Sequence, residues 1–369
     1  MRKRQCIAAI LALAGFFFGC SSKDLQDAEG IDLSETPATG MPNMAIMDFS
    51  HEPEYVIYLA GGCFWGLEEL MQSIPGVTEA SSGYANGSGE ADANYETITS
   101  GNTTFRETVR VEFDPEEVSL DALLFAYFHV IDPTVENRQA YDIGPQYQTG
   151  LYYTNETVRK TVERIAAIEA GRQEVFAVEI GPLYNFYAAE EYHQDYLDKD
   201  PLGYCHIPIE EMKLLSGLKI DPGNYQKPDE EVIRAKLTSL QYRVTRRNDT
   251  EMPFENQYWN FFEKGIYVDI VTGEPLFLSI HKFESSCGWP AFFAPVEMPV
   301  IIEKTDESFG RIRTEVRSRA GDSHLGHVFK KDPESPNGVR YCINSAALRF
   351  IPYEKMEEES YGYLLDLFD

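Results

Sequence analysis

The chain is short of basic residues, and it has no Cys-x-x-Cys pair and no internal repeat; each absence excludes something. Only 32 basic residues stand against 60 acidic ones, a formal net charge of −28. Phosphate backbones would be repelled, which excludes nucleic acid as a partner. Six cysteines in 369 residues, none paired as Cys-x-x-Cys, leave no zinc site built from paired cysteines and no built-in dithiol reductant. Without a repeat, the two halves of a chain long enough for two or three domains are expected to fold differently.

The start of the chain stands apart. Arg2, Lys3 and Arg4 precede an apolar run, Ile7 to Phe18, which is too short to span a bilayer as mature protein. It ends in Phe17-Phe18-Gly19-Cys20. A small residue before cysteine at this point resembles a bacterial lipoprotein signal, cut before Cys20 so that the cysteine becomes lipidated. An ordinary secretory signal or a retained anchor helix is the other reading. All of these place the chain outside the cytoplasm. The lipoprotein reading makes it a membrane-anchored protein of the cell envelope, facing the periplasm or the exterior. Residues 1–20 are then a signal peptide, and the polar stretch 21–53 a flexible tether. Cys63, Cys205, Cys287 and Cys342 remain, and an even number in an exported protein ordinarily means structural disulfides.

Strand and helix signals alternate through residues 54–212, and a charged stretch with Gly217, Pro222, Gly223 and Pro228 makes 213–232 the domain junction. Residues 233–354 carry short β-rich runs and many turns. The expected fold is therefore multidomain: an α+β two-layer N-terminal module, then a mainly antiparallel β module. Residues 355–369 read as an acidic C-terminal tail or short surface helix.

Two places carry chemistry. In the first, a strand-like run to Ala60 leads through Gly61-Gly62 into Cys63 and a helical pattern with Leu67, Leu70 and Met71. A thiol at a helix N-terminus meets unpaired N–H groups and the positive end of the macrodipole, so ionisation above the usual ~3% at neutral pH is expected. Phe64 and Trp65 follow, either as a cradle for a methyl group or as core residues. In the strand Thr104–Phe113, period two puts Glu107 on the apolar face with Phe105, Val109, Val111 and Phe113. Such a carboxyl is pushed up and donates a proton near neutral pH, unless a base is buried with it.

The motif Gly61-Gly62-Cys63-Phe64-Trp65-Gly66 resembles the methionine sulfoxide reductase A signature. The likeness continues through Gly83-Tyr84, Tyr95-Glu96, Asp132-Pro133-Thr134, Asp142 to Tyr147, and Glu190-Glu191-Tyr192-His193-Gln194. The resemblance implies that Cys63 is the nucleophile and Glu107 the buried acid. It makes Tyr95, Asp142 and Tyr147 holders of the sulfoxide oxygen or a water, and Cys205, in Gly203-Tyr204-Cys205-His206, the resolving thiol. Thr104-Phe105-Arg106 and Ala140 depart from the family pattern.

In the second place, Val339 to Phe350 reads as a strand with Arg340, Cys342, Asn344 and Ala346 on one face. A guanidinium and an amide beside a thiol are expected to lower its pKa. Upstream, His324 and His327 could be metal ligands, acid–base groups or packing residues. Cys287-Gly288-Trp289-Pro290, Arg313 to Arg317, His324-Leu325-Gly326-His327 and Arg340 to Ala346 resemble methionine sulfoxide reductase B. The resemblance implies that Cys342 is the nucleophile and Cys287 the resolving thiol. His324 and His327 then act on the sulfoxide oxygen, Arg340 and Asn344 assist, and Trp289 packs on the methyl. Many members carry zinc-binding cysteines where this chain has Asp269, Thr272, Ser318 and Gly321, so no zinc and no other cofactor is expected.

Together the resemblances imply a fusion that reduces methionine sulfoxide, free or in oxidised proteins, the S epimer in the first module and the R epimer in the second. Each nucleophile becomes a sulfenic acid and then a disulfide, recycled by an external thioredoxin-like dithiol. The competing account is a lipid-anchored binding protein stapled by the same two disulfides, each stabilising by roughly 4–5 kcal/mol.

Overall fold

The computed structural model describes residues 44–369; the leader with Cys20, and residues 21–43 of the expected tether, lie outside the described residues. The first module is built on one mixed sheet. Its strands are β1 (Val56–Ala60), β2 (Val77–Ala85), β3 (Arg106–Phe113), β4 (Gly150–Tyr153), β5 (Glu179–Pro182) and β6 (Phe186–Ala188), in the order β5-β4-β1-β3-β2-β6. β4 and β5 run parallel; the other neighbours are antiparallel.

Period two explains why β1 is apolar throughout. Ile57 and Leu59 enter the main core with α1 (Phe64–Ser73), α3 (Leu120–Val130) and α4 (Glu156–Ala170). Val56, Tyr58 and Ala60 face the other side, with Tyr152 and Leu183. α3 starts at Ser119, whose hydroxyl accepts the Ala122 N–H; α4 starts at Asn155, whose carbonyl accepts that of Val158. α2 (Tyr95–Thr99) and α5 (Tyr196–Lys199) are single turns, and α6 (Ile209–Ser216) closes the module.

Residues 44–53, expected within the tether, strap the far face of the sheet. The Met47 N–H donates to Tyr184 O at 2.8 Å, and Glu52 pairs with Arg110 at 2.9 Å. β3 begins at Arg106 rather than Thr104, with Glu107 on its buried face as expected. Arg106 and Thr108 are buried too, because the Arg106 guanidinium pairs with Glu179 across the sheet at 2.7 Å.

After α7 (Glu230–Lys236) and α8 (Ser239–Arg247), the second module is two antiparallel sheets. Three strands, β7 (Gly265–Asp269), β8 (Pro275–Leu278) and β15 (Leu348–Pro352), pair in the order β8-β7-β15. Six more are β9 (Lys282–Phe283), β10 (Ala291–Phe292), β11 (Ile301–Asp306), β12 (Arg313–Ser318), β13 (His324–Lys330) and β14 (Val339–Ile343). Their order is β9-β10-β14-β13-β12-β11. The stretch expected as one strand, Val339 to Phe350, is thus two strands in different sheets. Between them, Ser345–Ala347 forms a 3-10 turn, held by the buried Glu251 carboxylate, which accepts the N–H groups of Ser345 and Ala346. This breaks the expected face at Asn344.

The expected surface tail is packed: Met356, Tyr361 and Leu364 are buried in the second core. The junction is packed as well. Ile220 belongs to the second core, and Asp221 accepts both the N–H and the hydroxyl of Ser119 in the first module (2.9 and 2.5 Å). Arg319 reaches back across it, donating to Ile220 O at 3.0 Å and lying 4.5 Å over the Phe125 ring. Arg172 of the first module donates to Arg319 O at 2.8 Å.

Candidate active sites

In the first module, β1 hands over to α1 through Gly62, at φ +86. A Cβ there would come within 2.6 Å of the Gln139 side chain, so only glycine makes this turn. Cys63 is the N-cap residue of α1 and is 6% exposed. The next N–H, of Phe64, donates to Glu107 Oε2 at 3.2 Å, which ties the buried acid to the helix end beside the thiol. Burial pushes the Glu107 carboxyl up to about 8; the Phe64 N–H works against this and the Asp142 charge adds to it.

The expected ionisation of Cys63 is not what this geometry favours. Burial pushes the thiol well up, and the Glu107 and Asp142 charges push it further, against the Trp65 backbone N–H. The helix end does not compensate, because two carboxyls and no cation are its neighbours. At neutral pH the resting pair is a thiol beside a largely protonated acid.

Tyr95 opens α2, its N–H held by Glu190 at 2.9 Å. Tyr147 lies in the turn Pro145–Tyr147, and its phenol is pushed up by burial, then by Glu107 and Cys63. Asp142 accepts the Tyr204 hydroxyl at 3.0 Å. Phe64 is 1% exposed, packed on Tyr84 and His193, whereas Trp65 is partly open and stacks on Tyr196 at 3.8 Å. Trp65 Nε1–H donates to His193 Nδ1 at 3.1 Å. The sequence reading gave no role to His193 or Glu190; both sit in the quoted Glu190-to-Gln194 motif, the signal that could have found them. Ala140, one of the departures from the family pattern, sits at φ +48, a left-handed conformation that favours glycine.

Cys205 comes in over α1. A Cβ on Gly66 would lie 2.6 Å from its sulfur, and Gly66 is three residues on from Cys63, on the same helix face. Both thiols are free. Gly66→Ala is therefore expected to push Cys205 away. Oxidative crosslinking of Cys63 to Cys205, followed by thiol titration, is then expected to slow by about tenfold or more.

In the second module, His327 and Cys342 are direct partners across β13 and β14, and Ala291 of β10 faces Cys342 from the other side. The Cys342 thiol lies 3.4 Å from Cys287 Sγ, both free. The expected lowering of the Cys342 pKa by Arg340 and Asn344 is not what this geometry favours. The hydrogen bond from Cys342 pulls Cys287 down to about 5, against its burial, and the same contact, with burial, pushes Cys342 up. Arg340 still favours the Cys342 thiolate, but its Nε–H is committed to Asp332 at 2.7 Å.

Trp289, His327, Phe329, Cys342 and Asn344 line one cleft. Each histidine is oriented by a carboxylate: His324 Nδ1 by Glu315 at 2.5 Å and His327 Nε2 by Asp306 at 2.7 Å. Asp306, Glu315 and Glu251 were missed, and in sequence nothing joins Asp306 or Glu251 to the site. Glu251 supports the cleft from behind: its N–H donates to Asn344 Oδ1 at 3.2 Å and its carbonyl accepts Trp289 Nε1–H at 3.1 Å. Among the positions expected to be free of zinc-binding thiols, the buried Asp269 carboxylate accepts the Ser318 and Ser323 hydroxyls. A Cβ on Gly321 would strike Asp269 at 2.3 Å.

The peptide methionine sulfoxide reductase family matches residues 55–217 and the SelR domain residues 237–352. The chain belongs to the methionine sulfoxide reductases. It is similar to Mxr1 of Saccharomyces cerevisiae in reduced form, at 36% identity over 41% of this chain and 87% of that one, with a TM-score of 0.39. It is also similar to methionine sulfoxide reductase A of Corynebacterium diphtheriae, at 34% identity over 42% of this chain and 82% of that one, with a TM-score of 0.37. As a methionine sulfoxide reductase it works with two modules, a peptide-methionine (S)-S-oxide reductase followed by an (R)-S-oxide reductase. Both draw electrons from a thiol reductant such as thioredoxin.

Proposed function

We propose that each module reduces its epimer by thiol attack on sulfoxide sulfur, followed by an internal disulfide. The observation that carries the reading is that each module gathers two free cysteines, distant in sequence, beside a proton-donating group. In the A module, Glu107 gives its proton to the sulfoxide oxygen and regains one from the Cys63 thiol as the sulfur attacks. Methionine leaves and Cys63 carries the oxygen as a sulfenic acid. Tyr95, Asp142 and Tyr147 hold the oxygen, and Trp65 and Phe64 line the methyl side. The Cys205 thiol then displaces that oxygen as water and closes the disulfide.

In the B module, Cys342 attacks, His327 and His324 serve the oxygen under Asp306 and Glu315, Arg340 and Asn344 assist, and Trp289 packs on the methyl. Cys287 is the natural resolver. Its sulfur already lies 3.4 Å from that of Cys342, where a bond requires about 2 Å.

The test is a single turnover without reductant. Two methionines released per chain, with disulfides mapped to Cys63–Cys205 and Cys287–Cys342, support this scheme; crossed pairs would sink it. The B module is proposed to work without zinc, since an oxygen-only cluster around Asp269 is a poor match to the N and S donors of structural zinc sites. Elemental analysis finding one zinc per chain contradicts this.

The chain is further proposed to be anchored in the cell envelope through lipidated Cys20, supported by the basic start and the Gly19-Cys20 junction. Its reductant is then a thioredoxin-like protein outside the cytoplasm, and its substrates are methionine sulfoxide, free or in oxidised proteins. Cys20→Ser is expected to prevent lipid labelling and release the enzyme from membranes; equal labelling of both forms overturns the anchor.

A further inference from the structure

The B module has a second opening that the sulfoxide chemistry does not use. This open cleft is walled by Trp259, Asn260, Phe262, Glu284, Ser285 and Ser286, and its last wall runs directly into Cys287. The substrate cleft, with Cys342, Trp289 and His327, shares no residue with it. Half-buried Cys287 therefore follows directly on the wall of the second cleft at Ser286 and, through the 3.4 Å contact between the two sulfurs, touches Cys342 of the substrate cleft.

The rim of this second cleft is built. Phe262 is 45% and Phe254 52% exposed, and Phe254 packs edge-on against Trp259 at 5.4 Å. Phe254 is held at φ +61, a costly conformation for a bulky side chain. Its N–H is fastened to Gly288 O, next to Cys287, at 2.8 Å. On the other side of that cysteine, Glu334 accepts the Ser285 hydroxyl at 2.7 Å and the Ser286 N–H at 3.0 Å. Below, the largely buried Lys282 ammonium sits 3.8 Å from the Phe262 ring and donates to Trp259 O, so it is held by a ring and a carbonyl. The result is an aromatic shelf over a cation, rigidly joined to the sulfur that must be reduced in every cycle.

We propose that this cleft is the docking face for the thioredoxin-type dithiol protein that recycles the B module, and that it directs the reductant to Cys287 rather than Cys342. The proposal rests on the disulfide scheme above. The reductant's thiolate attacks Cys287 Sγ, the Cys287–Cys342 bond breaks, and Cys342 leaves with the electron pair and takes a proton. The reductant's second thiol then attacks the mixed disulfide and frees Cys287 as a thiolate, with the Lys282 cation beneath the shelf favouring that charge. Two electrons pass, and the reductant ends as a disulfide. Large exposed aromatics at the centre of a protein contact are the residues that carry binding, whereas a small dithiol needs no such face.

Two measurements test this on the whole chain. The oxidised protein is mixed with a thioredoxin lacking its second cysteine and the adduct is mapped: attachment at Cys287 is expected, and attachment at Cys342 overturns the proposal. Phe262→Ser is then assayed for R-epimer reduction with thioredoxin or dithiothreitol. The KM for thioredoxin should rise about tenfold with dithiothreitol-driven turnover unchanged. An unchanged KM, or an equal fall with both reductants, overturns it. Failure of the unsubstituted protein to turn over with dithiothreitol would instead remove the disulfide scheme on which the proposal stands.

Discussion

Glu107→Gln is expected to slow S-epimer reduction by about 10²–10⁴-fold and to leave R-epimer reduction untouched. The amide keeps the size and can still meet the Phe64 N–H that Glu107 accepts at 3.2 Å, but it has no proton to give to the departing oxygen. Because Glu107 is 2% exposed and its carboxyl is pushed up to about 8 by burial, the wild-type enzyme has its donor through the neutral range. As pH rises through about 8 the donor is lost, so S-epimer turnover falls on the alkaline side. Cys63 is itself pushed well up by burial, so no rising limb from thiol ionisation interrupts this below pH 8. The glutamine variant is slow throughout and lacks that alkaline fall. An S-epimer rate that climbs steadily from pH 6 to 9 would mean that the thiolate, not the acid, limits the reaction.

Arg319→Ala is expected to lower unfolding stability by about 3–5 kcal/mol. Arg319 is 3% and Glu274 0% exposed in their side chains, paired at 2.7 Å, with the Ala320 N–H as the other donor to that carboxylate at 2.9 Å. Removing the guanidinium leaves the carboxylate buried without its cation and cuts the contacts to Ile220 and Phe125 that bind the modules together. The deficit should shrink in acid. Burial already holds Glu274 above its ordinary value, opposed chiefly by Arg319, and without Arg319 it rises further. A carboxyl raised in the folded state binds its proton more readily there, so the variant regains stability as pH falls through that raised value. Urea unfolding at pH 7 and pH 5 reads both effects. A loss below about 1 kcal/mol would show that the pair behaves as a surface one.

Much of this architecture is legible in the sequence where one local rule decides. Strand, Gly-Gly, cysteine and helix placed Cys63, because the left-handed turn at Gly62 admits no side chain. Period two along β3 placed Glu107 on the buried face. The misreadings came where distant groups decide. The ionisation of Cys63 and Cys342 depends on burial and on neighbours brought from elsewhere, Asp142 for one and Cys287 for the other. Asp306 orients His327 from 21 residues away, which no periodicity reports. Val339 to Phe350 looked like one strand because the break lies in Glu251, which caps Ala346 from 95 residues upstream. The C-terminal segment looked solvated because its acidic residues alternate with Met356, Tyr361 and Leu364, which are buried in the second core.

The measurement that bears most directly on the whole account is reductant-driven turnover of the two separated methionine sulfoxide epimers by the wild-type chain, Cys63→Ser and Cys342→Ser. The account predicts that Cys63→Ser abolishes reduction of the S epimer alone and Cys342→Ser that of the R epimer alone. Retention of both activities in either variant, or loss of both in one, would contradict two independent modules each working through its own cysteine pair.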